Sequence, residues 1–111
     1  MARTDDVETA YFALLRAREE VTSLQRWEEY LRAERARIDA FVAAGRELDE
    51  AVDRRMRRAL GHNDGPLGEV LEQRRRLLAD ELHRLPERVE AAERFVAECE
   101  AEHDALKRRS A

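Results

Sequence analysis

Apolar residues return along the first half of the chain at alternating spacings of three and four. Val7, Leu14 and Val21 recur every seven residues, and Ala10, Ala17, Leu24, Leu31 and Ile38 do the same three positions later. That rhythm marks a helix that buries one narrow face against another helix. The first series then meets Glu28 and Arg35, while Leu24, Trp27, Leu31, Ile38 and Phe41 carry the stripe onward with a slight rotation. A drift of this kind predicts a buried face broader than a strict two-stranded seam. Thr4 reads as the N-cap of this helix, with Asp5, Asp6 and Glu8 near the positive end of its dipole.

Two interruptions follow. Gly45 breaks the pattern, but Leu48, Val52, Met56 and Leu60 resume it at once with a spacing of four. This predicts a helix bent or briefly broken near Gly45, not a reversal. Residues 61–66, Gly-His-Asn-Asp-Gly-Pro, are different: five of the six are turn formers, and Gly61 directly follows an apolar position. They predict the turn, with Asp64 capping the next helix and Pro66 in its first turn. Beyond it lies the cleanest stripe in the chain, Leu71, Leu78, Leu82, Leu85, Val89, Ala92, Val96, Cys99, His103 and Leu106. Its register survives Pro86, although an interior proline costs a helix ~3 kcal/mol. A kinked helix, or two stacked end to end, accounts for that.

The expected fold is all-α, a single domain over residues 1–111. It is a long antiparallel helical hairpin, coiled-coil-like, with arm one at 4–60, the turn at 61–66 and arm two at 67–109. Pairing Leu60 with Leu67 brings Pro86 level with Phe41 and Gly45 level with Leu82, so both arms bend together near Gly45 and Pro86. Arm one is then longer by about 14 residues, an overhang of ~21 Å at 1.5 Å per residue. The overhang, residues 4–17, holds Val7, Tyr11, Phe12, Leu14 and Leu15. These, with Trp27, are the candidate partner-binding residues. Two helices alone bury little surface. Dimerisation into a four-helix bundle answers both needs, closed twofold dimers being the commonest oligomers.

Composition agrees with long helices. Charged residues make up 41% of 111, the 43% hydrophobic share includes 18 alanines, and glycine and proline together number six. Such charge also occurs in disordered chains, but those lack sustained apolar periodicity. No run approaches the ~18 apolar residues of a membrane span, and the start MARTDDVETA has no secretory pattern. The single cysteine, Cys99, leaves no internal disulfide and fits a reducing compartment. A cytoplasmic protein is expected.

Charge does change the picture around the turn. Between residues 54 and 76, Arg54, Arg55, Arg57, Arg58, Arg74, Arg75 and Arg76 stand against three acids, a local charge of +4 in a chain of net −4. An arginine-rich hairpin tip suits phosphates or carboxylates. Against this, Glu50, Asp53 and Glu72 each precede an arginine by four residues, Arg58 would face Glu69 and Arg55 would face Glu72. No aromatic interleaves the arginines as a base-stacking platform.

Cys99 and His103 lie four apart on the stripe, with Glu100, Glu102 and Glu28 in reach on this hairpin. Glu100 and His103 have the Glu-x-x-His spacing of di-iron bundles, and Asp80 with His83 is a shorter analogue, but that chemistry needs two such motifs and two further glutamates. No metal ligand set, cofactor or catalytic residue is assigned. Gly61, Gly65 and Gly68 follow no strand and lack the phosphate-loop lysine. The sequence therefore suggests a non-enzymatic coiled-coil interaction protein: an adaptor, assembly factor or accessory subunit that self-associates or binds another helical protein. The alternatives are a nucleic-acid or ribonucleoprotein accessory module using the arginine tip and, more weakly, a metal-binding helical bundle.

Overall fold

The computed structural model describes residues 3–51 and 54–110, and every one of them except Arg3 is α-helical. The chain is an all-α helical hairpin of two elements, α1 at Thr4–Ala51 and α2 at Arg54–Ser110. The start of α1 is capped one residue earlier than its sequence suggests. Arg3 accepts hydrogen bonds from the N–H groups of Asp6 (3.0 Å) and Val7 (3.2 Å) on its carbonyl. Its own N–H donates to Asp6 Oδ2 at 3.4 Å. Asp6 thus makes the returning half of a capping box, and Thr4 is already helical. α2 ends with Lys107, Arg108 and Arg109 against the negative end of its dipole. There Ser110 Oγ donates to the Lys107 carbonyl at 3.0 Å.

Burial follows heptads closely. With the buried seam written as positions a and d, α1 has a at 7, 14, 21, 28, 35 and 42, and d at 10, 17, 24, 31 and 38. All but residue 35 are buried or half-buried. In α2 the seam runs 71, 75, 78, 82, 85, 89, 92, 96, 99, 103 and 106, again buried or half-buried throughout. The ten stripe residues expected in the second arm all lie on it, and Arg75 fills the one gap. Its aliphatic stem lies at the seam while its guanidinium reaches Asp39 at 3.1 Å. The expected rotation of the stripe in α1 is absent. Glu28 stays half-buried on the original register, whereas Trp27 and Phe41 are exposed beside the seam at position g. A strict seven-residue repeat keeps one narrow seam facing its partner, so no drift is needed.

The chain forms two compact units, Met1–Glu28 with Arg84–Ala111, and Glu29–His83. In the first, the Tyr11 and His103 rings lie 5.5 Å apart and Arg18 binds Glu100 at 3.2 Å, so the segments run antiparallel. In the second, Glu34 meets Arg74 at 2.7 Å and Asp39 meets Arg75. Residue numbers that meet across the helices therefore sum to 108–118. A reversal at 61–66 requires about 127.

The turn expected at 61–66 is accordingly not one. The helix of α2 passes through Gly61, Asp64, Gly65 and Pro66, and α1 passes unbroken through Gly45. Residues 52 and 53, between the two helices, lie outside the described residues. The difference in register, about 14 residues, is two whole heptads, so the same side chains reach the seam either way. What separates the two is the N-terminal segment. In the observed register residues 7–17 lie against residues 96–106 instead of overhanging, and Leu14 and Ala17 are buried. Burying a Leu or Val side chain contributes ~1.5–3 kcal/mol, and several gained together outweigh the ~1 kcal/mol helix penalty of each glycine and ~3 of the proline. By the same register Gly45 comes level with Gly68, not Leu82, and that layer puts no side chain in the seam.

Candidate interaction face

The seam does not account for all of the large apolar residues. Among the described residues, seven apolar side chains are buried, Leu14, Ala17, Leu24, Leu31 and Ile38 on α1 with Leu78 and Leu85 on α2. Eleven large ones remain exposed. Nine of those stand at heptad positions g and c: Trp27, Tyr30, Phe41 and Leu48 on α1, and Met56, Leu67, Val70, Leu77 and Phe95 on α2. Positions g and c adjoin on a helix surface, so each helix carries a second apolar row beside its seam. In α1 the row continues as Ala44 and Ala51, at the same 3-4 spacing.

Contacts within each unit put the two g rows on one edge. In Glu29–His83, Glu34 and Arg74 are both g residues and bind each other. By that register Phe41 stands opposite Leu67. In the other unit, Ala13 and Phe95, again both g, line one groove of about 280 Å³ with Ala10, Glu98, Cys99 and Glu102. The groove exists because two alanines face a phenylalanine. On the opposite edge Arg18 and Glu100, both at e, form an ion pair.

One charged cluster interrupts the apolar row. Glu34 Oε2 accepts from Arg37 Nη2 at 2.6 Å, and Oε1 lies 2.7 Å from Arg74 Nη2. The hydrogen bond from Arg37, with the charges of Arg74 and Arg37, holds the Glu34 carboxyl below the usual carboxylate range, against the opposing effect of desolvation. The two arginines neutralise the Glu34 carboxylate within the chain, which lets it sit amid apolar neighbours.

The candidate partner residues divide. Leu14 is buried, Val7 and Leu15 are half-buried, and Tyr11 packs on His103, so residues 4–17 do not form an unpaired overhang. Phe12 and Trp27 stay exposed, Trp27 on the g row. Missing from the sequence candidates were Phe41, Leu48, Leu67, Val70 and Leu77. Their signal, a second 3-4 pattern offset by one residue from the first, is present in α1 as Trp27, Tyr30, Phe41 and Leu48.

The arginines do not gather into one tip. Arg55 and Arg75 are both on α2, twenty residues or ~30 Å apart along the helix. Arg74 is engaged by Glu34, Arg75 by Asp39 and by Glu72 at 3.7 Å, and Arg76 by Glu72 at 3.8 Å. Glu69 and Glu72 share a helix with Arg58 and Arg55 and cannot face them across a hairpin. Arg55 and Arg58 are exposed; the side chains of Arg54 and Arg57 lie outside the described set. Near His103 the structure places Tyr11 instead of Glu28, and it turns Glu100 to Arg18. Among the described residues no three His, Cys, Asp or Glu side chains gather as a metal site. No described helix is long and apolar enough to cross a membrane.

No protein-family model matches the chain, and neither a curated protein nor a solved structure is significantly similar to it.

Proposed function

We propose that this chain is a non-enzymatic interaction protein of the cytoplasm, an adaptor, assembly factor or accessory subunit, that acts through coiled-coil helix association. Its preferred partner is a second copy, giving a four-helix bundle. One observation carries the reading: the exposed row of Phe41, Leu48, Leu67, Val70 and Leu77 beside a seam that, among the described residues, buries seven apolar side chains. Large apolar rows at helical spacing in water mark surfaces that other helices cover. The arginines give less support to a nucleic-acid module, because Arg74, Arg75 and Arg76 are held by acids of the same chain.

Sedimentation across protein concentration tests the proposal. The expected species is a dimer of the 12.9 kDa chain. A folded monomer at every concentration would remove self-association and leave a different helical protein as the partner.

A further inference from the structure

We infer that a second copy of this chain seats on the exposed row of Phe41, Leu48, Leu67, Val70 and Leu77, through a twofold axis. The inference rests on the self-association reading and adds where the copies meet. Three observations lead to it.

From residue 43 to residue 70, every side chain that the structure describes is exposed, although the backbone is helical. Val42 and Leu71 are the last seam side chains described, and the Gly45–Gly68 layer beyond them is open: a Cβ added at either glycine meets nothing within 4 Å. Helices in water draw most of their stability from a packed face. Among its described residues this end shows no such face within its own chain.

The same end carries apolar surface of the required size. Phe41, Leu48, Leu67, Val70 and Leu77 are each between 43% and 61% exposed. Side chains of this size, about half exposed, present on the order of 100 Å² each. Together they give roughly 500 Å², more than half of the ~800 Å² per partner in a standard interface.

Charge selects the occupant. Glu47, Asp49, Glu50 and Asp53 form an acidic block, followed at once by the basic block Arg54, Arg55, Arg57 and Arg58. Both blocks oppose their helix dipoles, since α1 has no basic residue in its last turn and α2 no acidic residue in its first. The outer helix ends have the favourable signs, with Asp5 and Asp6 at one and Lys107, Arg108 and Arg109 at the other. A twofold axis sets the exposed Glu47 and Glu50 of each copy against the exposed Arg55 and Arg58 of the other, so one patch complements itself. A nucleic acid, uniformly negative, meets repulsion at Glu47 and Glu50.

The test uses the full chain in three forms, followed by sedimentation with helicity as a check on folding. In Val70→Asp/Leu77→Asp the dissociation constant rises at least tenfold, whereas Phe12→Asp, in the other unit, leaves it within twofold. Two charge variants supply a second arm: Arg55→Glu/Arg58→Glu and Glu47→Arg/Glu50→Arg. Each alone is monomeric through like-charge repulsion, and an equimolar mixture restores the dimer. A dimer unchanged in folded Val70→Asp/Leu77→Asp overturns the face while self-association stands. If that variant unfolds, the mixture decides, and a mixture that stays monomeric overturns the inference. A wild-type chain that never dimerises removes both this inference and the reading beneath it.

Discussion

Glu34 and Arg74, on different helices, meet at 2.7 Å on the edge of the hairpin that also bears its exposed apolar row. Glu34 is also hydrogen-bonded by Arg37, and its carboxyl is held below the usual carboxylate range. A carboxylate whose folded pKa is depressed binds fewer protons folded than unfolded through the intervening window. Its stabilising contribution is therefore complete above the ordinary glutamate value, ~4.3, and is lost as pH falls through the lowered folded value. Glu34→Gln should abolish that part of the acid dependence. Denaturant unfolding of both proteins from pH 7 downward gives curves whose separation shrinks with acid. Parallel curves would show that the cluster contributes no such linkage.

The register has a direct measurement. Spin labels at residues 18 and 100, a pair that meets through Arg18 and Glu100 at 3.2 Å, should report a shorter distance than labels at 18 and 109. Nine residues of helix separate 100 from 109, ~14 Å at 1.5 Å per residue. With the reversal at 61–66 the order inverts, because residue 18 then lies opposite 109. Dipolar spectroscopy on the two double-labelled chains, each carrying Cys99→Ser, distinguishes the registers by order alone.

That ambiguity shows what the sequence could and could not fix. The seam residues were legible because each helix buries a two-position heptad pattern, and Leu31, Ile38, Leu78 and Leu85 lie where the repeat puts them. Their partners were not legible. Sliding one helix by 14 residues keeps the same side chains at the seam and changes only which of them meet, so periodicity is silent on pairing. Gly-His-Asn-Asp-Gly-Pro carries strong local signals for a turn, but those weigh a few kcal/mol against the burial of a whole N-terminal segment. Glu28 misled in a similar way, by suggesting a rotation that drew Trp27 and Phe41 toward the core. They belong to a second row, visible only once the first is known not to drift.

Leu77 and Leu78 separate fold from interface at adjacent positions. Leu78 is 7% exposed on the seam and Leu77 is 61% exposed on the outer row. Leu78→Ala should cost ~2–5 kcal/mol, the usual range for a buried leucine truncation, in the chain itself. Leu77→Ala should leave the monomer nearly unaffected and lower the melting temperature only where the dimer is populated, since linked association stabilises by mass action. Thermal unfolding at two protein concentrations a hundredfold apart reads both effects. A concentration-independent loss at Leu77 would place it in the fold instead.

The glycines decide whether α2 is helical where its sequence looks least so. At Gly65 and Gly68 nothing lies within 4 Å of an added Cβ, and no described glycine has positive φ. Alanine then fits at both sites, and each replacement gains ~0.5–1 kcal/mol through helix propensity and a less disordered unfolded chain. For a chain of about this size that raises the melting temperature by ~4–8 °C per kcal/mol. A turn at 61–66 predicts the reverse for Gly65, because a glycine that ends a turn in the left-handed region loses stability on gaining a Cβ. Gly65→Ala should therefore raise the melting temperature, with Gly45→Ala in mid-α1 as the internal standard, since its Cβ also meets open space. A fall at Gly65 beside a rise at Gly45 would return the reversal of the chain to residues 61–66.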